Sequence, residues 1–90
     1  MHREILLKFM KKHPDARYPI KALIAEIESA DWKRPDDIKA RYRSASFLPE
    51  NIVIFNIGGN KYRLETQIAF KTGKVYIKQI GTHKEYDRWS

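Results

Sequence analysis

Residues 51–80, "NIVIFNIGGNKYRLETQIAFKTGKVYIKQI", decide the fold. Apolar side chains recur here at every second position, the period of a strand rather than a helix. "NIVIFNI" is apolar on both faces like a central strand, "KYRLETQIAF" alternates cleanly, and "VYIKQI" reads as a third strand. "GGNK" and "KTGK" between them are glycine turns. Strands joined so briefly must pair antiparallel, because a parallel crossover needs a dozen residues or more.

Register then assigns the faces. A two-residue turn at Gly58-Gly59 pairs Phe55 with Tyr62 and Val53 with Leu64, and a four-residue turn over Lys71–Lys74 pairs Phe70 with Val75. One face carries Val53, Phe55, Ile57, Tyr62, Leu64, Ile68, Phe70, Val75 and Ile77, and something must cover it. A slip of one residue would drive Lys78 into the core and Ile77 out of it, so the pattern holds the register. The opposite face holds Asn56, Lys61, Arg63, Glu65, Gln67, Lys74, Tyr76 and Lys78, with Ile52, Ile54 and Ile80 among them. It is basic with aliphatic patches.

The cover comes from upstream. Ile5, Leu6, Phe9 and Met10 form a helical stripe over residues 4–13, stopped by Pro14. Ile20, Leu23, Ile24 and Ile27 fall at i, i+3, i+4 and i+7 of a second helix, with Pro19 in its first turn and its end near Trp32. "PDDIKARYR" is a third helix, acidic at its positive end and basic at its negative end, so the helix dipole alone accounts for its bases. "SASFLPEN" reads as a loop. Tyr86 and Trp89, at i and i+3, fit a short C-terminal helical turn. The expectation is an α+β fold, N-terminal helices packed on one face of a small antiparallel sheet, with residues 1–90 as one domain.

Composition narrows the function. The chain has no cysteine and three histidines, His2, His13 and His83, too scattered for a metal site, and no apolar run of bilayer length. The start lacks a signal-peptide pattern, so a cytoplasmic location is expected, without cofactor or membrane. Eighteen Lys and Arg against eleven acids give a net charge of +7. Residues 1–60 hold eleven bases and eight acids, but residues 61–90 hold seven bases and three acids, so the positive field gathers toward the C-terminal third. Such a field meets phosphates, or else an acidic protein.

The basic sheet face and the closing "THKEYDRW" suggest RNA chemistry. Cations track a phosphate backbone while an exposed ring such as Tyr76 stacks on a base. Cutting RNA through its own 2′-hydroxyl needs a base, cations for the pentavalent phosphorane, and an acid for the departing 5′-oxygen. Arg63 and Lys78 suit the clamp, and His83 and Tyr86 the proton transfers. Each has a plainer reading: His83 as a surface residue or cap, Tyr86 as packing, Arg63 as a partner for Glu65. Trp89 is assigned to packing. "GGNK" lacks the residues of a P-loop, and Ser44 and Ser46 have no nucleophile elbow behind them.

"HPDA", "ADWKRPDDIKARYRSAS", "IVIFNIGGNKYRL" and "VYIKQIGTHKEYD", in this order over residues 9–87, resemble the HigB toxins of the RelE-like superfamily. The resemblance implies an mRNA interferase that cuts mRNA on translating ribosomes without a metal. It also implies a helix-turn-helix antitoxin, HigA, with operator DNA reached only through that antitoxin. The family's basic strand residues fall on Lys61 and Arg63 and its C-terminal block on His83 and Tyr86, while Lys78 sits where many members carry a base. Lys39, Arg41, Arg43, Lys74 and Tyr76 are assigned to RNA or ribosome binding only. Two departures stand out: only "MHREIL" precedes the first helix where a short strand is usual, and Leu23 and Ile24 stand where an aromatic is expected. Two other readings use the same surface, a non-catalytic module for RNA or an acidic protein, and a gyrase-poisoning ParE-like toxin.

Overall fold

The computed structural model describes residues 3–59 and 61–89. Helix α1 spans Arg3–Lys12, and Pro14 forces a tight 3-10 turn over Pro14–Ala16 before α2, Arg17–Ser29. Pro19 occupies the first turn of α2, where a missing N–H leaves no hydrogen bond unmade. α3 runs over Pro35–Arg41, and its start is fixed by the Asp37 carboxylate, which accepts from the backbone N–H groups of Lys33 and Arg34 at 3.0 and 3.3 Å. Helices α2 and α3 end a few residues before the positions expected. Met1 and His2, where a leading strand was in question, lie outside the described residues, and no strand precedes α1 among the described ones.

The sheet has four strands in the order β1-β2-β3-β4: Ser46–Leu48, Ile52–Ile57, Tyr62–Ala69 and Lys74–Thr82. Three corrections to the sequence reading follow. Residues 46–48 are a strand rather than part of a loop, because Glu50 and Asn51 adopt left-handed backbone angles (φ 65° and 62°) and turn the chain straight back. Phe47 thereby pairs with Val53 and packs against the core. Both turns shift the register by two residues, so that Ile57 pairs with Tyr62, Phe55 with Leu64, Val53 with Thr66 and Ile68 with Val75. An even shift keeps every residue on its face, which is why the facial assignment survives as far as residue 77.

The third correction is a β-bulge. Thr66 pairs with Ile77 but Glu65 with Gln79, so Lys78 is an extra residue without a cross-strand partner. The bulge inverts the alternation beyond it. Ile80, expected on the outer face, turns inward opposite Leu64 and packs against the core, while Gly81 comes to the outer face opposite Arg63. Phe70 falls in the turn and is only half-buried.

The helices lie on the inner face. Leu6, Ile20 and Ile38, one from each of α1, α2 and α3, are fully buried with Val53, Phe55, Leu64 and Ile68 of the sheet. Each such side chain stabilises the fold by about 1.5–3 kcal/mol. Thr66, the one buried polar residue there among the described residues, is satisfied because its hydroxyl donates to the Val53 carbonyl at 2.9 Å. The outer face is left to the last element, α4, His83–Tyr86.

Candidate functional site

The short helix α4 holds only because its start is locked. Thr82 caps it: the Glu85 N–H donates to Thr82 Oγ1 at 3.2 Å, and the Thr82 N–H donates to Glu85 Oε1 at 2.9 Å. The donation from the Thr82 backbone holds the Glu85 carboxyl below the usual carboxylate range. The His83 N–H donates to the Lys61 carbonyl at 3.0 Å, which fastens the helix to the head of β3. Gly81 lets it lie down. A Cβ there would meet Trp89 Cζ2 at 3.0 Å and Glu85 Cβ at 3.1 Å. Trp89 meets Tyr86 edge to face at 5.4 Å, and both line a hollow with Leu48 and Ile54. Ile54, on the outer face by register, is therefore only 2% exposed.

This packing brings three candidate residues to one end of the sheet. The Arg63 guanidinium lies 5.5 Å from the centre of the Tyr86 ring and also donates to the Tyr62 carbonyl at 3.3 Å. Arg63 pairs with Gly81, so His83 stands two residues further along the neighbouring chain. The His83 Nδ1 is 3.6 Å from Asp87 Oδ2, one helical turn on. Across the sheet, Arg63 pairs with Asn56, whose amide donates to the Ser44 carbonyl at 2.9 Å. The row 44, 56, 63, 81 thus crosses the outer face from the α3–β1 connection to α4.

Lys61 is held from the other side. Its Nζ lies 3.6 Å from Asp15 Oδ2, and Tyr62 donates its hydroxyl to Asp15 Oδ1 at 2.6 Å. The Tyr62 donation, helped by the charge of Lys61, keeps the Asp15 carboxyl below its ordinary range and raises the Tyr62 phenol. Phe9, His13 and Tyr62 form a ring cluster with centroids 4.5–5.3 Å apart, so the turn after α1 is joined to the first residues of β3.

Comparison with known proteins now identifies the lineage. Residues 16–89 match the HigB toxin family, described as the RelE-like toxic component of a toxin–antitoxin system. The chain belongs to the HigB family. The mRNA interferase toxin HigB of Escherichia coli (strain K12) is 35% identical over 80 residues, which cover 86% of this chain and 76% of that protein. The mRNA interferase HigB of Shigella flexneri matches to the same extent, and that of a second Escherichia coli strain is 25% identical over 80 residues, 87% of this chain and 78% of the relative. The match to HigB runs through the row just described and through α4.

Other candidate residues of this HigB chain stand apart. Lys78 is exposed at the bulge, separated from Arg63 by the Glu65–Gln79 pair, in which Gln79 Nε2 donates to Glu65 Oε1 at 2.6 Å. Lys74 and Tyr76 occupy the far end of β4, opposite Ala69 and Gln67. Lys39 and Arg43 are exposed on and just after α3, whereas the Arg41 guanidinium holds Glu26 at 2.6 and 3.3 Å, and the Tyr42 hydroxyl donates to the same carboxylate. Those two donations lower the Glu26 carboxyl, and burial together with Glu26 pushes the Tyr42 phenol up. Among the described residues no cluster of His, Asp and Glu is arranged as metal ligands, and no helix is long and apolar enough to cross a membrane.

Sequence reading missed Asp87, Gln79, Asp15 and Gly81. Asp87 was detectable, since it follows His83 at i+4 in a helical turn. Asp15 was not, because its partners lie at 61 and 62 and only the ring cluster brings them together.

Proposed function

We propose that this chain acts where mRNA meets the translating ribosome, in the cytoplasm, cutting by attack of the 2′-hydroxyl on the adjacent phosphate. As a HigB toxin the chain is an mRNA interferase, an endoribonuclease directed at mRNA. The single observation that carries the mechanism is the convergence of the Arg63 guanidinium and the Tyr86 ring at 5.5 Å with His83 at the head of α4.

In this mechanism Arg63 holds the scissile phosphate and the charge that builds on it, since a fixed guanidinium matches phosphate oxygens in pairs. Tyr86, packed by Trp89 and lying over Arg63, positions that guanidinium and presents its hydroxyl to the reacting groups. His83 exchanges protons with the 2′-hydroxyl or the leaving 5′-oxygen, with Asp87 beside the imidazole that carries the proton. The chemistry closes without water or metal in its first step: the 2′-oxygen bonds to phosphorus, the P–O5′ bond breaks, and a 2′,3′-cyclic phosphate remains. Lys78, Lys74 and Tyr76 extend the basic face along the sheet for the flanking RNA, with Lys39 and Arg43 toward the α3 side; Lys61 adds its charge from the edge at the head of β3, beside Asp15, and Arg41 acts through its grip on Glu26. A helix-turn-helix antitoxin of the HigA kind neutralises the toxin and alone carries it to operator DNA.

The test is 5′-end mapping of cellular mRNA after pulsed expression of wild type, Arg63→Ala and His83→Ala, each checked for folding by circular dichroism. Loss of a phosphate-binding guanidinium lowers cleavage by about 10²–10³-fold. New 5′ ends inside translated regions that vanish in both variants bear the mechanism out. Undiminished cleavage in both removes this site from the reaction.

A further inference from the structure

The face of the α1–α2 hairpin turned away from the sheet carries a groove remote from Arg63 and α4. α1 buries Leu6 and Phe9 and α2 buries Ile20, Leu23 and Ile27 against the core. A second row at helical spacing, 3, 7 and 10 on α1 and 17, 21, 24 and 28 on α2, runs beside the buried one, with Pro14 of the turn at its end; its Met10 and Ile24 are half-buried against the core, and the rest are exposed. Together these residues line two adjoining hollows of about 320 and 480 Å³ that share Leu7, Met10 and Lys21. The floor is apolar, formed by Leu7, Met10 and Ile24, and Leu7 remains 55% exposed.

The rim states the partner's charge. Arg3 and Glu28 close one end as an ion pair. The other end holds Lys11 and Arg17, with Lys21 where the two hollows meet, and none of these three is in an ion pair among the described residues. Arg17 opens α2, where the helix dipole disfavours a cation, so the fold itself does not account for its charge. Among the described residues no aromatic side chain lines the groove, which tells against stacked bases. α1 is 10 residues long, about 15 Å, the length of three turns of a partner helix. An apolar trough with one cationic end fits an amphipathic helix whose i, i+3/i+4 and i+7 side chains are apolar and whose one end is acidic.

We infer that this groove is the docking surface for an acidic amphipathic helix of the cognate antitoxin. The inference rests on the toxin–antitoxin reading and adds to it where the antitoxin binds. The groove and the Arg63–His83 end lie on opposite sides of the sheet, so variants of one leave the other intact.

Two variants test it, Leu7→Glu combined with Lys21→Glu, and the charge reversal Lys11→Glu with Arg17→Glu, which alters only exposed side chains. The full-length antitoxin encoded beside the toxin is the probe, titrated calorimetrically against wild type and each variant. In parallel, 5′-end mapping without antitoxin reads cleavage. Docking in the groove predicts at least about tenfold weaker antitoxin binding in both variants, with cleavage and melting temperature close to wild type. Wild-type affinity in both variants overturns the inference alone. Reduced cleavage with unchanged antitoxin binding assigns the face to RNA or ribosome and also overturns it. A wild-type toxin that does not bind this antitoxin refutes the inference and the antitoxin reading together.

Discussion

Gly81→Ala isolates the part that α4 plays in the site. The added Cβ would stand 3.0 Å from Trp89 Cζ2 and 3.1 Å from Glu85 Cβ. Ordinary carbon contacts begin near 3.5 Å, so α4 must lift by about 0.5 Å. Arg63 and Tyr86 are 5.5 Å apart, and the same displacement carries them to about 6 Å, the limit of a useful cation–π contact. Overpacking in a rigid core costs about 1–3 kcal/mol. α4 is short and largely exposed and yields as a body, so the expected loss is near the low end, about 1 kcal/mol or 4–8 °C in melting temperature. Catalysis is less forgiving, because misplacement on this scale costs about 10–10² in rate. The assay pairs thermal melting by circular dichroism with single-turnover cleavage of mRNA on purified ribosomes. A small melting shift with a rate loss of tenfold or more bears the geometry out. Wild-type cleavage in a folded Gly81→Ala protein would refute the claim that α4, seated on Gly81, sets Tyr86 against Arg63.

Acid titration tests the carboxylates. Asp15, Glu26 and Glu85 all ionise below the usual range in the fold, so they add stability above their unfolded values near pH 4 and lose it as pH falls through the depressed ones. The melting temperature should be flat near neutrality and fall below about pH 4, less steeply in Tyr62→Phe, which removes the main cause of the Asp15 shift; an unchanged slope in that variant counts against the Asp15–Tyr62 link. Arg41→Ala leaves Glu26 with Tyr42 alone and should lower the melting temperature while cleavage per folded molecule stays within about threefold; a selective loss of cleavage would instead give Arg41 a direct role with RNA. Raising salt from about 50 to 200 mM should weaken RNA binding steeply, and Lys78→Ala should flatten that dependence by about one unit of log–log slope if Lys78 contacts phosphate.

What the sequence determined by itself is the content of the two faces as far as the bulge at Lys78. Alternation at period two allotted Val53, Phe55, Leu64 and Ile68 to the core and Arg63, Glu65 and Gln67 to the outer face, and an error of two residues in each turn left this untouched because the side-chain period is two. The helical stripes, Pro14 and Pro35 likewise placed α1, α2 and α3 from local rules alone. The HigB lineage was legible because "FNIGGNKYRL" and "GTHKEYD" are short, local signals.

Tertiary structure decided the rest, in places where no local rule speaks. A bulge at Lys78 costs one residue of pairing and is recovered only through burial of Ile80 against Leu64, so it was invisible until the strands met. β1 depends on left-handed backbone at Glu50 and Asn51, neither of them glycine, held there by the pairing of Phe47 with Val53. The candidate site depends on both kinds of event. The bulge brings Gly81, with no side chain, to the outer face opposite Arg63, and that vacancy lets Trp89 and Glu85 lie against the sheet and set Tyr86 over the guanidinium. The sequence supplied the cations and the rings, and the packing of α4 onto one glycine put them together.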